Sequence, residues 1–190
     1  MVTPNPHYAE RLEPYRGYLR ILASMSVSDK LRTKLDLSGV VQWTLWEASQ
    51  RQSEPWSSDP LQCKAFLRTI LARNLDDEIR KLRRACRDVD REQPLQVNLE
   101  NSSAQLEQAI ARPDLSPSQW YSQKEQALLV SQAIANLPEL QREAIVLRYL
   151  KQEPIARIAE HLQKSPEAIA GLLKRGLQKL RDSMESEGSA

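Results

Sequence analysis

An all-α chain built as two small helical domains joined by a flexible linker is what this sequence predicts, and three observations carry it. Gly numbers only 5 in 190 residues and aromatics make up 5%, while Leu, Ala, Arg, Gln and Glu abound, a mixture suited to helices and poor for sheets. Apolar residues recur at three- and four-residue steps on both sides of the middle of the chain. Between those periodic parts, "REQPLQVNLENSSAQLEQAIARPDLSPSQW" holds Pro94, Pro113 and Pro117 among Ser, Asn and Gln, with no sustained helical stripe. The length allows two domains of ordinary size.

Taken in order, helices are expected near 7–27, 36–51 and 62–90, then a linker over 92–118, then helices near 119–136, 139–150, 154–163 and 166–183. This divides the chain into a first domain at 1–91, a second at 119–184 and a short tail at 185–190. The last two helices are the most informative. In the first of them Ile155, Ile158, Ala159 and Leu162 share a face, and Ala159 is small where the next helix must cross closely. The second opens on Ser165 as N-cap, Pro166 at the first helical position and Glu167 against the positive helix end. Its stripe of Ile169, Leu172, Leu173, Leu177 and Leu180 leaves Glu167, Ala170, Gly171, Lys174, Gln178 and Arg181 outward. Two helices separated by about three residues in this way form a helix-turn-helix, whose second helix can enter a major groove. A packed helical hairpin with no ligand shows the same pattern.

The net charge of +2 is uninformative until it is divided along the chain. Residues 64–91 carry 9 basic and 5 acidic groups, residues 137–182 carry 9 and 6, and residues 92–136 between them carry 2 and 5. Two basic blocks flanking an acidic one suit two contact surfaces for a polyanion, although solvated helix faces look alike by charge alone. Within the first block Arg80, Arg83, Arg84 and Arg87 recur at three- and four-residue steps, so they gather on one helical sector and can meet successive phosphates.

The stretch "LPELQREAIVLRYLKQEPIARIAEHLQKSPEAIAGLLKRGLQKLR" resembles region 4, the C-terminal DNA-binding domain of sigma-70 family RNA polymerase sigma factors. The shared order is Leu137-Pro138, Arg142, "LRY" at 147–149, Ile158-Ala159, Ser165 and Arg175. Independently, "KLDLSGVVQWTLWEASQ" and "FLRTILARNLDDEIRKLRRACRD" resemble region 2, with Asn74, Asp77 and Arg80 at the family spacing. The ordered pair, without the region 3 of larger members, is similar to the two-domain extracytoplasmic-function type. The resemblance implies a region 2-like helical bundle, a region 4-like helix-turn-helix and a role in directing core polymerase to promoters and starting transcription.

It also implies roles for particular residues. Asp36, Val40, Val41, Gln42 and Leu45 stand where the family grips core RNA polymerase. Trp56, Asn74, Arg80, Arg83, Arg84 and Arg87 stand where it holds the melted downstream promoter element, Asn74 offering an amide to a base edge and Trp56 a stacking surface in a polar loop. Trp56 can equally be a plug that packs its loop. Arg142, Arg157, Ser165, Glu167, Ala170, Gly171, Lys174 and Arg175 stand where the upstream duplex element is met. The partners implied are core RNA polymerase and promoter DNA, duplex and melted; an anti-sigma protein, which restrains many family members, is a further candidate.

The departures are instructive. Gly39 and Trp43 replace the acids usual on the polymerase-binding helix, so that interface is expected to be more apolar, with one of Trp43 and Trp46 in the core. Ala170, Gly171 and Leu172 replace polar groups of the recognition helix, so weak base readout is expected. Gln163 sits where Gly often relieves a left-handed backbone, at roughly 1 kcal/mol if that conformation is kept.

Other classes fare worse. With only His7 and His161, two separated cysteines (Cys63 and Cys86) and no Gly-rich phosphate loop, the chain lacks the parts of an enzyme, and no cofactor or metal is expected. A stand-alone helix-turn-helix regulator does not explain Asn74, Asp77, Arg80 and the arginine ladder. The absence of a long apolar run or signal-like start leads us to expect no membrane partner and a cytoplasmic location.

Overall fold

The computed structural model describes residues 11–32, 34–51, 60–85, 95–110 and 128–187. Trp56 and Arg87, with the expected helical residues 7–10, 86–90 and 119–127, lie outside them. The described residues are helical with no strand, in agreement with the all-α expectation. Contacts divide the chain into two units, Met1–Ala104 and Gln105–Ala190.

In the first unit a 3-10 turn, Glu13–Tyr15, leads into α1 (Arg16–Ser26), the short α2 (Asp29–Arg32), α3 (Leu37–Gln50) and the long α4 (Pro60–Ala85). Asp36 starts α3 as an N-cap, its carboxylate accepting from the Gly39 amide at 2.9 Å. Gly39 makes this possible, because a Cβ there would stand 2.5 Å from Asp36 Oδ2. The core is a stripe repeated every four residues along α4, Leu67, Leu71, Leu75 and Ile79. Against it lie Tyr18, Leu19 and Leu22 of α1 and Val41, Leu45 and Ala48 of α3, the three helices packing pairwise.

The stretch expected to be linker over 92–118 contains a helix, α5 (Leu95–Ile110), which the boundary between units crosses. Its part within the first unit buries Leu99, Ser102 and Ser103. The Tyr18 and Ser103 hydroxyls lie 2.9 Å apart, Ser26 Oγ donates to Ser102 Oγ at 3.1 Å, and Arg68 donates to both Tyr18 Oη and Ser103 Oγ at 3.2 Å. Serines read as loop residues are here helical and inward because partners on α1 and α4 satisfy their hydroxyls.

The second unit takes in the end of α5, and its described part resumes with α6 (128–135). Then come α7 (Glu139–Ile145), running on into a π-helical turn at Val146–Leu150, α8 (Ile155–Leu162) and α9 (Pro166–Glu187). The helix expected near 139–150 is therefore one run with a change of pitch, and α9 continues past the expected 183. Ala144, Ile145, Leu147, Leu150, Ile158, Ala159, Ile169 and Leu173 make the core. Gly176 sets how closely α9 meets α7, since a Cβ there would lie 3.1 Å from Ile145 Cγ1 and 3.7 Å from Gln141 Cβ.

Candidate nucleic-acid interface

The turn between α8 and α9 is built from local signals. Gln163 is left-handed, φ 52° and ψ 47°, and the chain folds back so that Gln163 N bonds Glu160 O at 3.3 Å and Lys164 N bonds Ala159 O at 3.0 Å. This is a Schellman cap, normally completed by glycine. Two residues on, Ser165 Oγ accepts from the Ala168 amide at 3.2 Å and starts α9. The expected capping residue and the expected crossing point are both in place: Ile158, Ala159 and Ile169 are buried. Leu172, Leu177 and Leu180 are only half-buried.

Outward from α9 stand Glu167, Ala168, Ala170, Lys174, Arg175, Gln178, Lys179 and Arg181, all exposed, with Gly171 half-exposed. The Glu167 carboxyl is held below its ordinary range by its own backbone amide and by the Ser165 hydroxyl at the helix start. Arg175 lies back along the helix, its Nη1 3.3 Å from where a Gly171 Cβ would be. On α8, Arg157 is exposed and within 3.3 Å of Glu160, a pairing that solvent weakens. Arg142 is different. Its Nη1 donates to Ala135 O at 3.1 Å and Leu137 O at 3.2 Å, so this half-buried guanidinium, expected at the DNA contact, closes the end of α6.

In the first unit, Arg80, Arg83 and Arg84 are exposed on α4, Arg80 within 3.4 Å of Asp77. Asn74 does not join them. It is 7% exposed, and its amide donates to Thr44 Oγ1 at 3.2 Å and Glu47 Oε2 at 3.4 Å. Spacing on the helix put it near the arginines, but α3 packs over it and claims its donor. Glu47 is the hub of this cluster, bonded to Arg73, to Arg51 at 3.0 Å and to Asn74. Burial pushes its carboxyl up, yet the Arg73 guanidinium, with Arg51 and the Asn74 amide, outweighs that and holds it below the ordinary range. Sequence reasoning missed Glu47, whose partners other than Arg51 lie on α4.

The residues expected to grip polymerase are split by the fold. Val40, Val41 and Leu45 are buried and hold α3 onto the core, which corrects their assignment to a contact surface. Asp36 caps α3, and Gln42 is exposed, its amide oxygen accepting from Arg16 Nη1 at 2.6 Å. Trp43 and Trp46 are both on the surface, 55% and 41% exposed, against the expectation that one is core. They stack on each other with centroids 4.5 Å apart. Among the described residues no group of His, Cys, Asp and Glu is arranged to hold a metal, and no helix is long and apolar enough to cross a membrane.

A capped helix pair crossing at Ala159, with cations outward on the second helix, has the form of a helix-turn-helix. Residues 127–180 match the family model described as Sigma-70, region 4. No curated protein matches the chain significantly.

Proposed function

We propose that the protein is a sigma factor of the two-domain, extracytoplasmic-function kind, which recruits core RNA polymerase to promoters and helps open them. The single observation that carries this is the region 4 match over residues 127–180, on a unit whose α9 turns Lys174 and Arg175 outward. In this reading Lys174 and Arg175 meet phosphates of an upstream duplex element, with base discrimination limited by Ala170 and Gly171. Arg80, Arg83 and Arg84 on α4 supply a second cationic sector, suited to the backbone of the melted strand. Bacterial core polymerase is the protein partner in this reading.

The test is promoter-dependent initiation in a purified system of core polymerase, the full chain and a library of promoter fragments. Defined start sites that need the chain are the expected result. Duplex binding by the chain alone, with no stimulation of core polymerase, would instead make it a stand-alone regulator.

A further inference from the structure

We infer that α5 is an autoinhibitory clasp. It covers a cationic and aromatic patch made by Tyr18, Lys64 and Arg68, and lifts away to admit single-stranded nucleic acid.

The patch lies within the first unit. Lys64 and Arg68 stand one turn apart on α4, about 6 Å along its axis. Lys64 Nζ lies 5.4 Å from the centre of the Tyr18 ring, and Arg68 Nη1 donates to the Tyr18 hydroxyl at 3.2 Å, so both cations meet at one aromatic side chain. Tyr18 and Lys64 are fully buried. The cover is α5, whose Ser103 bonds both Tyr18 and Arg68 and whose Ser102 meets Ser26. That helix carries Glu100 and Glu107 and no Lys or Arg. An acidic, hydroxyl-bearing helix thus lies where the cations of the patch would otherwise attract a polyanion.

The cover is built to come off. Its hydroxyl bonds are exchanged for bonds to water on release, so each holds the clasp only modestly, whereas apolar burial is lost outright. Among the described side chains of its first-unit part, Leu99 is the one buried apolar residue, while α3 buries Val40, Val41, Leu45 and Ala48. The groups left behind keep partners of their own: Arg68 stays bonded to Tyr18, and Ser26 Oγ donates to Leu22 O at 2.7 Å. Release of α5 is therefore a local opening that leaves the bundle of α1, α3 and α4 standing.

The chemistry of the patch selects the occupant. A ring with two cations beside it offers one base a stacking surface and its backbone two anchors, the combination by which single strands are held. A duplex stacks its bases on one another and has none to give Tyr18. While α5 is docked, the affinity is reduced in proportion to the fraction of molecules that are open.

The experiment measures binding of the full chain to a labelled oligothymidylate of about 12 nucleotides by fluorescence anisotropy, beside hydrogen exchange of the free protein. Ser102→Ala with Ser103→Ala is expected to bind on the order of tenfold more tightly than wild type, and to exchange faster in α5 with α1, α3 and α4 unchanged. Adding Arg68→Gln to that variant is expected to remove most of the gain. Affinity within about twofold of wild type once α5 is shown to exchange faster would overturn the clasp. So would faster exchange in α1, α3 and α4 as well, which would make α5 an integral part of the bundle, or no faster exchange in α5 at all. A gain that survives Arg68→Gln would assign binding to other cations, and an equal gain for a duplex of the same length would refute the single-stranded occupant. No polymerase is present, so failure here leaves the sigma-factor reading untouched.

Discussion

Replacing Gln163 by glycine should stabilise the helix-turn-helix. The residue holds φ 52° and ψ 47° at the Schellman cap of α8, a conformation that costs a residue with a Cβ roughly 1–2 kcal/mol. Glycine removes that strain but widens the unfolded ensemble, an opposing effect of about 0.4–1 kcal/mol. The net expectation is a gain of about 0.5–1 kcal/mol, because the backbone bonds of the cap, from Gln163 N to Glu160 O and Lys164 N to Ala159 O, are untouched. Gln163 is exposed and the structure gives its side chain no bond that glycine would forfeit. The assay is native-state hydrogen exchange of the full chain, read on peptides covering α7 to α9, with Gln163→Ala as the control that keeps the strain. Slower exchange by about two- to fivefold in the glycine variant is expected, with little change for alanine. Equal exchange in all three, or faster exchange in the glycine variant, would show that the left-handed turn carries no such strain and refute the reasoning.

Loss of the Ser165 cap in Ser165→Ala should destabilise the same unit by about 1 kcal/mol, measured by the same exchange experiment. Because the folded state depresses the Glu47 carboxyl, its contribution is full at neutral pH and fades as pH falls through that lowered value. Glu47→Gln should therefore be less stable than wild type at neutral pH, and the gap in urea midpoints should close in acid. Lys174→Ala with Arg175→Ala should weaken duplex binding across sequences and lower the salt slope by about 2, read from affinities over a salt series. Arg83→Ala with Arg84→Ala should reduce promoter melting more than closed-complex binding, and permanganate footprints showing equal melting at matched occupancy would contradict it.

What was legible in the sequence was what neighbours in the chain decide. Ser165, Pro166 and Glu167 announce a helix start by chemistry that acts within one turn, and α9 begins there. Ile158, Ala159 and Ile169 follow the helical period, and they are buried. What was illegible depends on partners distant in the chain. In α3 apolar residues surround the helix, so its period could not say that Val40, Val41 and Leu45 face inward while Trp43 and Trp46 face out. The helix α5 escaped notice because two of its buried positions are Ser102 and Ser103, whose hydroxyls are matched by Tyr18 and Ser26 some eighty residues earlier. Asn74 falls on its expected helix, and its amide donates to Thr44 and Glu47, partners some thirty residues away in the chain.

On the proposed function, these packing roles bear on how sequence selection is achieved. Arg142 and Asn74, which family position suggested for DNA, instead fasten the end of one helix and the packing of two others. The described side chains still turned outward at the expected DNA-facing positions are mostly cations: Arg80, Arg83 and Arg84 on α4, Arg157 on α8, Lys174 and Arg175 on α9. Cations on flexible stems hold phosphates well and fix register, but reading a base requires a donor or acceptor set rigidly against its edge. Arg175 lies along α9 over Gly171, its Nη1 3.3 Å from where a Cβ would stand, while Ala170 beside it can offer only a methyl contact. On the proposed function, α9 therefore offers phosphate anchors with little set against a base edge, and base discrimination by this unit should be weak.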